Sequence, residues 1–298
     1  MATLATPPST VRRVAYLGSP AIAVPALHAL VGAGLEVALV VSQPDKRRGR
    51  GGGATPSPVK AAAAELGIPT TDDVSVVVDA GVDLGVVVAF GRLISDPVLG
   101  SVPMVNMHYS LLPRWRGAAP VERAILAGDS QTGVCVMAVA SELDAGDVYA
   151  RGVVPIGERD TTASLYERLT EVGVPLLVGT ILDGHWDGQP QQGEVTYAAK
   201  LTSEDRHLDW TRSVTDLARI IRVGGAWTTL DGRRVKIHDA EVVDGDTSGI
   251  PATIAGVDVR AADGVLRLIT VQPEGKATVA AGDWANGSRL EPGARFGT

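Results

Sequence analysis

The first half of the chain repeats one pattern: a short apolar run rich in β-branched residues, a turn, then apolar residues at helical spacing. Val14-Ala15-Tyr16-Leu17 is stopped by Gly18-Ser19-Pro20. Ile22, Leu27, Leu30 and Val31 follow at helical spacing and are closed by Gly32 and Gly34. Residues 35–41 form a second run, and Val86-Val87-Val88-Ala89-Phe90 reads as a strand covered on both faces. Strands joined through helices pair in parallel, because a hairpin cannot connect them, and their sheet carries helices on its faces. Residues 104–108, 133–139 and 148–154 continue as strands, and 118–127 and 161–182 as helices, the second with Thr161 or Thr162 as N-cap. The expected class is therefore α/β with a mostly parallel sheet.

The pattern changes after Asp183. Residues 184–197, GHWDGQPQQGEVTY, are rich in Gly, Gln and Pro and read as a linker. Residues 214–222 suit one short helix, and beyond it short strands alternate with turns, which suggests a small all-β domain of barrel type. A length of 298 residues fits one large or two medium domains at about 150 residues each. The expected division is 1–185, a linker at 186–204, and 205–298. Hydrophobic residues at 45% and charged residues at 20% allow a sizeable core. The single cysteine, Cys135, excludes an internal disulfide and a Cys-based zinc cluster. The first ten residues lack a cation and an apolar run, and no stretch reaches the roughly 18 uninterrupted apolar residues of a membrane span. These features predict a soluble, cytoplasmic protein with no membrane partner. The net charge of −7 means that a nucleic-acid partner must be met by a local basic patch.

The densest polar cluster is Asn106-Met107-His108-Tyr109-Ser110-Leu111-Leu112-Pro113. Side chains alternate along a strand, so Asn106 and His108 point one way and Met107 the other. An amide and an imidazole presented together at a strand end suit a carbonyl whose oxygen becomes negative during attack. The plainer alternative is a core histidine near a turn. Leu143-Asp144-Ala145-Gly146-Asp147 lies between two strand candidates, and Asp144 could fold back to orient His108; the alternative is an ordinary Asp-Gly turn. Lys46, Arg47, Arg48 and Arg50, followed by three glycines, make a basic loop in an acidic protein and suit phosphate, or else a solvated surface. Arg114-Trp115-Arg116 poses the same choice. The first strand is not followed by GxGxxG, so a dinucleotide fingerprint is missing, and the histidines show no metal spacing.

The run VNMHYSLLPRWRGAAP resembles the methionyl-tRNA formyltransferases, and its Asn-x-His-x-Ser-Leu-Leu-Pro core is similar to the wider group of folate-dependent formyltransferases. YLGSPAIAVPALHAL (16–30), SQPDKRRGRG and PSPVK (42–60), VVVAFG (86–91), LDAGD (143–147), VTYAAKL (195–201) and VQPEGK (271–276) extend the resemblance over nearly the whole chain. It implies a Rossmann-like, mostly parallel sheet domain followed by a smaller C-terminal open β-barrel, OB-like, that contacts tRNA. It implies formyl transfer from 10-formyltetrahydrofolate, a co-substrate, to the α-amino group of initiator methionyl-tRNA, without a metal, by a monomer. The catalytic positions fall on Asn106, His108 and Asp144. Both Asn106 and His108 would donate to the oxyanion, and Asp144 would orient the ring. Ser110, Leu111, Leu112 and Pro113 match the folate-binding segment, and Val88, Phe90 and Gly91 with the 143–147 loop would line the pterin pocket. Lys46, Arg47, Arg48 and Arg50 would approach the tRNA acceptor end, with Arg233, Arg234 and Lys236 as the local basic group of the C-terminal part. Three departures stand out: residues 67–86 are too short for a helix the family places there, residues 223–225 lack a proline-bearing turn, and Tyr109 is bulky enough to narrow the pocket. Two alternatives follow: the same folate chemistry on an amino sugar or other small amine, or a non-catalytic tRNA-binding protein on this scaffold.

Overall fold

The computed structural model describes residues 4–47, 54–288, 290–291 and 293–297. It divides into two compact units. The first comprises Met1–Val121, Gln131–Pro155 and Leu165–Ala199, and the second Glu122–Ser130, Ile156–Ser164 and Lys200–Thr298. The chain thus returns to the second unit twice before residue 200. The 186–204 segment is not a free connector, since residues up to Ala199 belong to the first unit and pair with it.

The first unit is built on seven strands: β1 (Arg13–Gly18), β2 (Glu36–Val41), β5 (Thr70–Thr71), β6 (Leu84–Val88), β7 (Met104–His108), β9 (Gln131–Ala138) and β10 (Val148–Pro155). They lie in the order β10-β9-β7-β6-β1-β2-β5. The pairs β6–β1, β1–β2, β2–β5 and β6–β7 are parallel, while β7–β9 and β9–β10 are antiparallel. The sheet is therefore mostly parallel, and β7 stands where the direction changes. The chain also forms the short hairpin β3 (Lys46–Arg47) and β4 (Ala54–Thr55) and the two-residue strands β8 (Arg116–Gly117) and β11 (Tyr197–Ala198), which pair in parallel. All five residues of β6 are buried, as an apolar central strand requires. One face packs Ala15, Leu17, Leu39, Val41, Val87 and Phe90 against Val98 and Leu99 of α3 (Asp96–Ser101).

Helices α1 (Val24–Gly32) and α2 (Pro58–Glu65) follow β1 and β4. Between residues 67 and 86 the chain forms β5 and one 3₁₀ turn, Val74–Asp79, started by Asp73, whose carboxylate accepts the Ser75 N–H. Helix α4 spans Pro120–Ala127 and α5 spans Thr162–Asp183. The α5 start is fixed by Thr161, whose hydroxyl accepts the Ser164 N–H at 3.2 Å.

In the second unit, β12 (Trp227–Leu230), β13 (Arg233–Val243), β16 (Val265–Pro273), β15 (Asp258–Arg260) and β14 (Ile254–Ala255) pair in that order. β17 (Val279–Ala280) pairs with β16. Every pairing is antiparallel, and among the described residues the path does not close. Helix α6 (Val214–Val223) begins at Ser213, whose Oγ accepts the Asp216 N–H, and α7 spans Ala281–Ser288. The buried α6 residues Leu217, Ile220 and Ile221 pack with Val235, Ile237, Leu266, Trp284 and Phe296. No helix among the described residues is long and apolar enough to cross a membrane.

Candidate active site

Strand β7 runs parallel to β6 on one side and antiparallel to β9 on the other, so Asn106 lies between Val87 and Met137 and His108 opposite Cys135. Its carboxyl end is where open α/β sheets present ligand-binding residues. The alternation is realised: Tyr109, on the face opposite His108, reaches helix α5. Its ring meets Tyr166 edge-on at 5.2 Å and its hydroxyl lies 3.3 Å from Thr170 Oγ1. Burial raises the Tyr109 pKa. Tyr109 is thus a core side chain and does not narrow a pocket on the Asn106 face.

Asp144 joins the two residues of that face. Its Oδ1 accepts from Asn106 Nδ2 at 3.5 Å, and its Oδ2 lies 3.7 Å from His108 Nδ1. The Gly117 N–H donates to Oδ2 at 2.8 Å, which sets the carboxylate's position. Two backbone conformations make this possible. Asp144 has φ +48°, a left-handed geometry that Asp tolerates better than most residues, and Gly117 has φ +117°, which a side chain would resist. What goes beyond an ordinary Asp-Gly turn is that the Asp144 carboxylate bonds residues far along the chain, Asn106 and Gly117.

The imidazole is held from its other edge. His108 Nε2 lies 3.0 Å from the Trp115 carbonyl. A carbonyl only accepts, so Nε2 carries the hydrogen and Nδ1 faces the acid. One of the two ring nitrogens is thus engaged by the backbone. Trp115 has φ +64°; its N–H donates to Thr196 Oγ1 at 2.9 Å and Arg114 stacks over its ring at 4.5 Å. Arg116, for which the sequence left open a polyanion contact or a solvated surface, is instead buried. Its guanidinium binds Glu142 at 2.8 Å and Gln191 Oε1 at 2.9 and 3.0 Å.

The candidate folate segment follows β7 directly. Ser110 is buried and donates to the Arg114 carbonyl at 2.6 Å, stapling the turn. Leu112 packs with Cys135, Met137 and Val148, Leu111 lies against Gly133, and Pro113 follows a cis peptide bond. Val88 and Phe90 are buried in the sheet core, so their side chains do not line an open cleft. The Phe90 carbonyl accepts from Gln43 Nε2 at 2.9 Å, and Gly91 alone of the three is exposed, at φ +74°. In the basic loop, the Lys46 and Arg47 backbone pairs with Thr55 and Ala54, while Arg48 and Arg50 lie outside the described residues. No group of three or more His, Cys, Asp or Glu among the described residues could hold a metal.

Residues 12–181 match the formyl transferase family and residues 200–289 its C-terminal domain family. A methionyl-tRNA formyltransferase of Roseobacter denitrificans is 43% identical over 303 residues, covering 95% of this chain and 98% of the relative. The enzyme of that name from Methylococcus capsulatus is 40% identical, covering 96% of this chain and all of its own length.

The chain belongs to the formyltransferase family.

Solved structures extend the likeness at the level of fold. An N-formyltransferase from Helicobacter canadensis, solved with folinic acid and dTDP-3-aminofucose, aligns with a TM-score of 0.67 at 15% identity. It covers 87% of this formyltransferase and 99% of its own chain. HypX from Aquifex aeolicus, solved with tetrahydrofolic acid, aligns at 0.63 with 20% identity over 92% of this chain and 46% of its own. The residues that the sequence did not single out are Gln191 and Thr196. The only local sign of them is a polar run, QPQQGEVTY, whose amides and hydroxyls need partners if the segment is packed.

Proposed function

We propose that this formyltransferase moves the formyl group of 10-formyltetrahydrofolate onto the α-amine of methionyl initiator tRNA. The observation that carries the reading is the meeting of Asn106, His108 and Asp144 at one strand end. Relatives at 40% to 43% identity, matched over nearly their whole length, bear the methionyl-tRNA formyltransferase name. They favour this acceptor over a small amine and an active enzyme over a non-catalytic binder.

The chemistry follows from the residue types. The neutral amine adds to the formyl carbon, and the carbonyl oxygen takes up negative charge. Among the described residues the Asn106 amide makes one long contact, 3.5 Å to Asp144, and it donates to that oxygen. Losing one such donor typically costs on the order of 3 kcal/mol of barrier. The added amine must lose a proton, and the folate nitrogen must gain one as its bond to the formyl carbon breaks. His108 exchanges a proton at Nδ1, where Asp144 Oδ2 stands 3.7 Å away and steadies the charged ring. The Trp115 carbonyl keeps the ring from turning. The family's folate segment, Ser110 to Pro113, lies beside this group, and Lys46, Arg47, Arg48 and Arg50 supply cations for the tRNA phosphates.

The test is a formylation assay with charged initiator tRNA and 10-formyltetrahydrofolate. Wild-type protein forms formylmethionyl-tRNA, and Asn106→Ala and His108→Ala each lose at least about 100-fold. Wild-type rates in both variants overturn the site assignment, and formylation of amino sugars but not of charged tRNA overturns the acceptor.

A further inference from the structure

The segment around residue 190 carries a group that the reading above does not use. Gln191 Nε2 donates to the Asp144 carbonyl at 2.8 Å and to the Gly146 carbonyl at 2.9 Å. Its Oε1 accepts from Arg116 Nε at 3.0 Å and Nη2 at 2.9 Å. Carbonyls only accept and a guanidinium only donates, so the amide orientation is fixed by its partners. Both N–H groups and both lone pairs are matched at once. The two carbonyls flank Ala145 on the loop that carries Asp144, and Arg116 precedes Gly117, whose N–H holds the Asp144 carboxylate. One side chain therefore grips the loop that carries the acid and the strand that aims it.

The backbone around Gln191 is anchored on both sides. Gln189 and Val148 exchange hydrogen bonds at 2.9 Å in each direction. Further along, the Arg116 N–H donates to the Thr196 carbonyl at 2.9 Å, and the Ala118 and Ala119 N–H groups donate to the Ala198 carbonyl at 2.9 and 3.1 Å. A side chain fixed at both flanks holds its geometry without a large entropy loss at each turnover.

We propose that Gln191 is a positioning residue for the formyl transfer: it sets the place of Asp144, and through Asp144 the places of His108 and Asn106. It touches none of the reacting atoms. The inference rests on the function proposed above.

Two substitutions separate its possible roles. Gln191→Ala removes all four bonds. Gln191→Glu keeps the acceptor for Arg116 but loses both donors, and sets a carboxylate against two carbonyls. Both variants should show kcat reduced by about 10- to 100-fold, the scale on which a misplaced group slows an oriented reaction. KM for the folate and for charged tRNA should stay within about threefold of wild type, since binding common to ground and transition states is untouched. In an Asp144→Asn background the same Gln191→Ala change should cost under about threefold, because a positioning residue cannot slow a reaction whose acid is already gone. Thermal melting measured alongside identifies any variant that fails to fold, and Gln191→Glu then stands in for Gln191→Ala. Three results overturn the proposal: kcat at the wild-type level, full rescue by Gln191→Glu, or equal losses in the wild-type and Asp144→Asn backgrounds. Absence of formyl transfer by the wild-type protein in the same assay counts instead against the function itself.

Discussion

Asp144→Asn keeps the shape of the side chain and deletes the charge beside His108. The amide oxygen still accepts the Gly117 N–H, now 2.8 Å from Oδ2, so the loop should hold. What is lost is the attraction between a carboxylate and the ring when it is protonated during turnover. At 3.7 Å and an effective dielectric of about 20, that attraction is worth about 4.5 kcal/mol. At about 1.4 kcal/mol per decade it corresponds to roughly a thousandfold in rate. Solvent reaching the partly exposed Asp144 lowers this, so the expected fall in kcat is about 100- to 1000-fold. Loss of a neutral hydrogen bond alone would cost only about 1 kcal/mol, or less than tenfold. The assay is single-turnover formylation with saturating substrates, paired with thermal melting, where a shift of less than about 3 °C is expected. A fall of less than tenfold with normal folding refutes the argument that Asp144 acts by its charge on His108.

Other substitutions probe the scaffold around that group. Gly146→Ala would place a Cβ 2.0 Å from the Ala138 carbonyl oxygen, and the obstacle is backbone. It should destabilise the protein by about 1–3 kcal/mol, read by urea unfolding, and an unchanged midpoint would show that the loop has room. Tyr109→Phe removes only long hydroxyl contacts of 3.3 and 3.4 Å, so stability should change by less than about 1 kcal/mol and formylation should persist; a large loss of folate affinity would place Tyr109 in the pocket after all. The Asp205 carboxyl is held down to about 2, first by the Thr202 N–H and then by Arg123. A carboxyl depressed in the folded state stabilises it fully above about pH 4, its ordinary range, and loses that contribution as pH falls toward 2. Asp205→Ala should therefore cost about 1 kcal/mol at pH 7, discounted for partial exposure, with the gap to wild type shrinking below pH 4. A gap independent of pH would assign the loss to packing.

The parts of the site written in local periodicity were legible. Asn106 and His108 share a face because strands alternate, and Met104–His108 is the strand that spacing predicts. The helix at Val214–Val223 and the long strand Arg233–Val243 likewise follow from short-range pattern. What was not legible depends on pairing across distance. Gln191 meets Asp144 across 47 residues and Arg116 across 75, and nothing near residue 190 encodes that register. Its Gly-, Gln- and Pro-rich composition suggested a linker because the same residues serve both solvated chain and close hydrogen-bonded approach. Gly188 shows the second use, since a Cβ there would meet Asp147 Cβ at 2.7 Å. Arg116 misled for a related reason: a cation in an Arg-Trp-Arg-Gly run reads as surface until its carboxylate and amide partners are known.

The interleaving of the two units has a consequence for synthesis on the ribosome. Glu122–Ser130 and Ile156–Ser164 emerge long before Lys200–Thr298, the stretch they cluster with. Until then Leu126 lacks the apolar cluster of that later stretch, against which it packs. The first unit also waits, because strand β11 must be translated before β8 gains its neighbour. Neither half can mature vector-wise, and nascent chains stalled between residues 130 and 200 are where chaperone capture and proteolysis should concentrate.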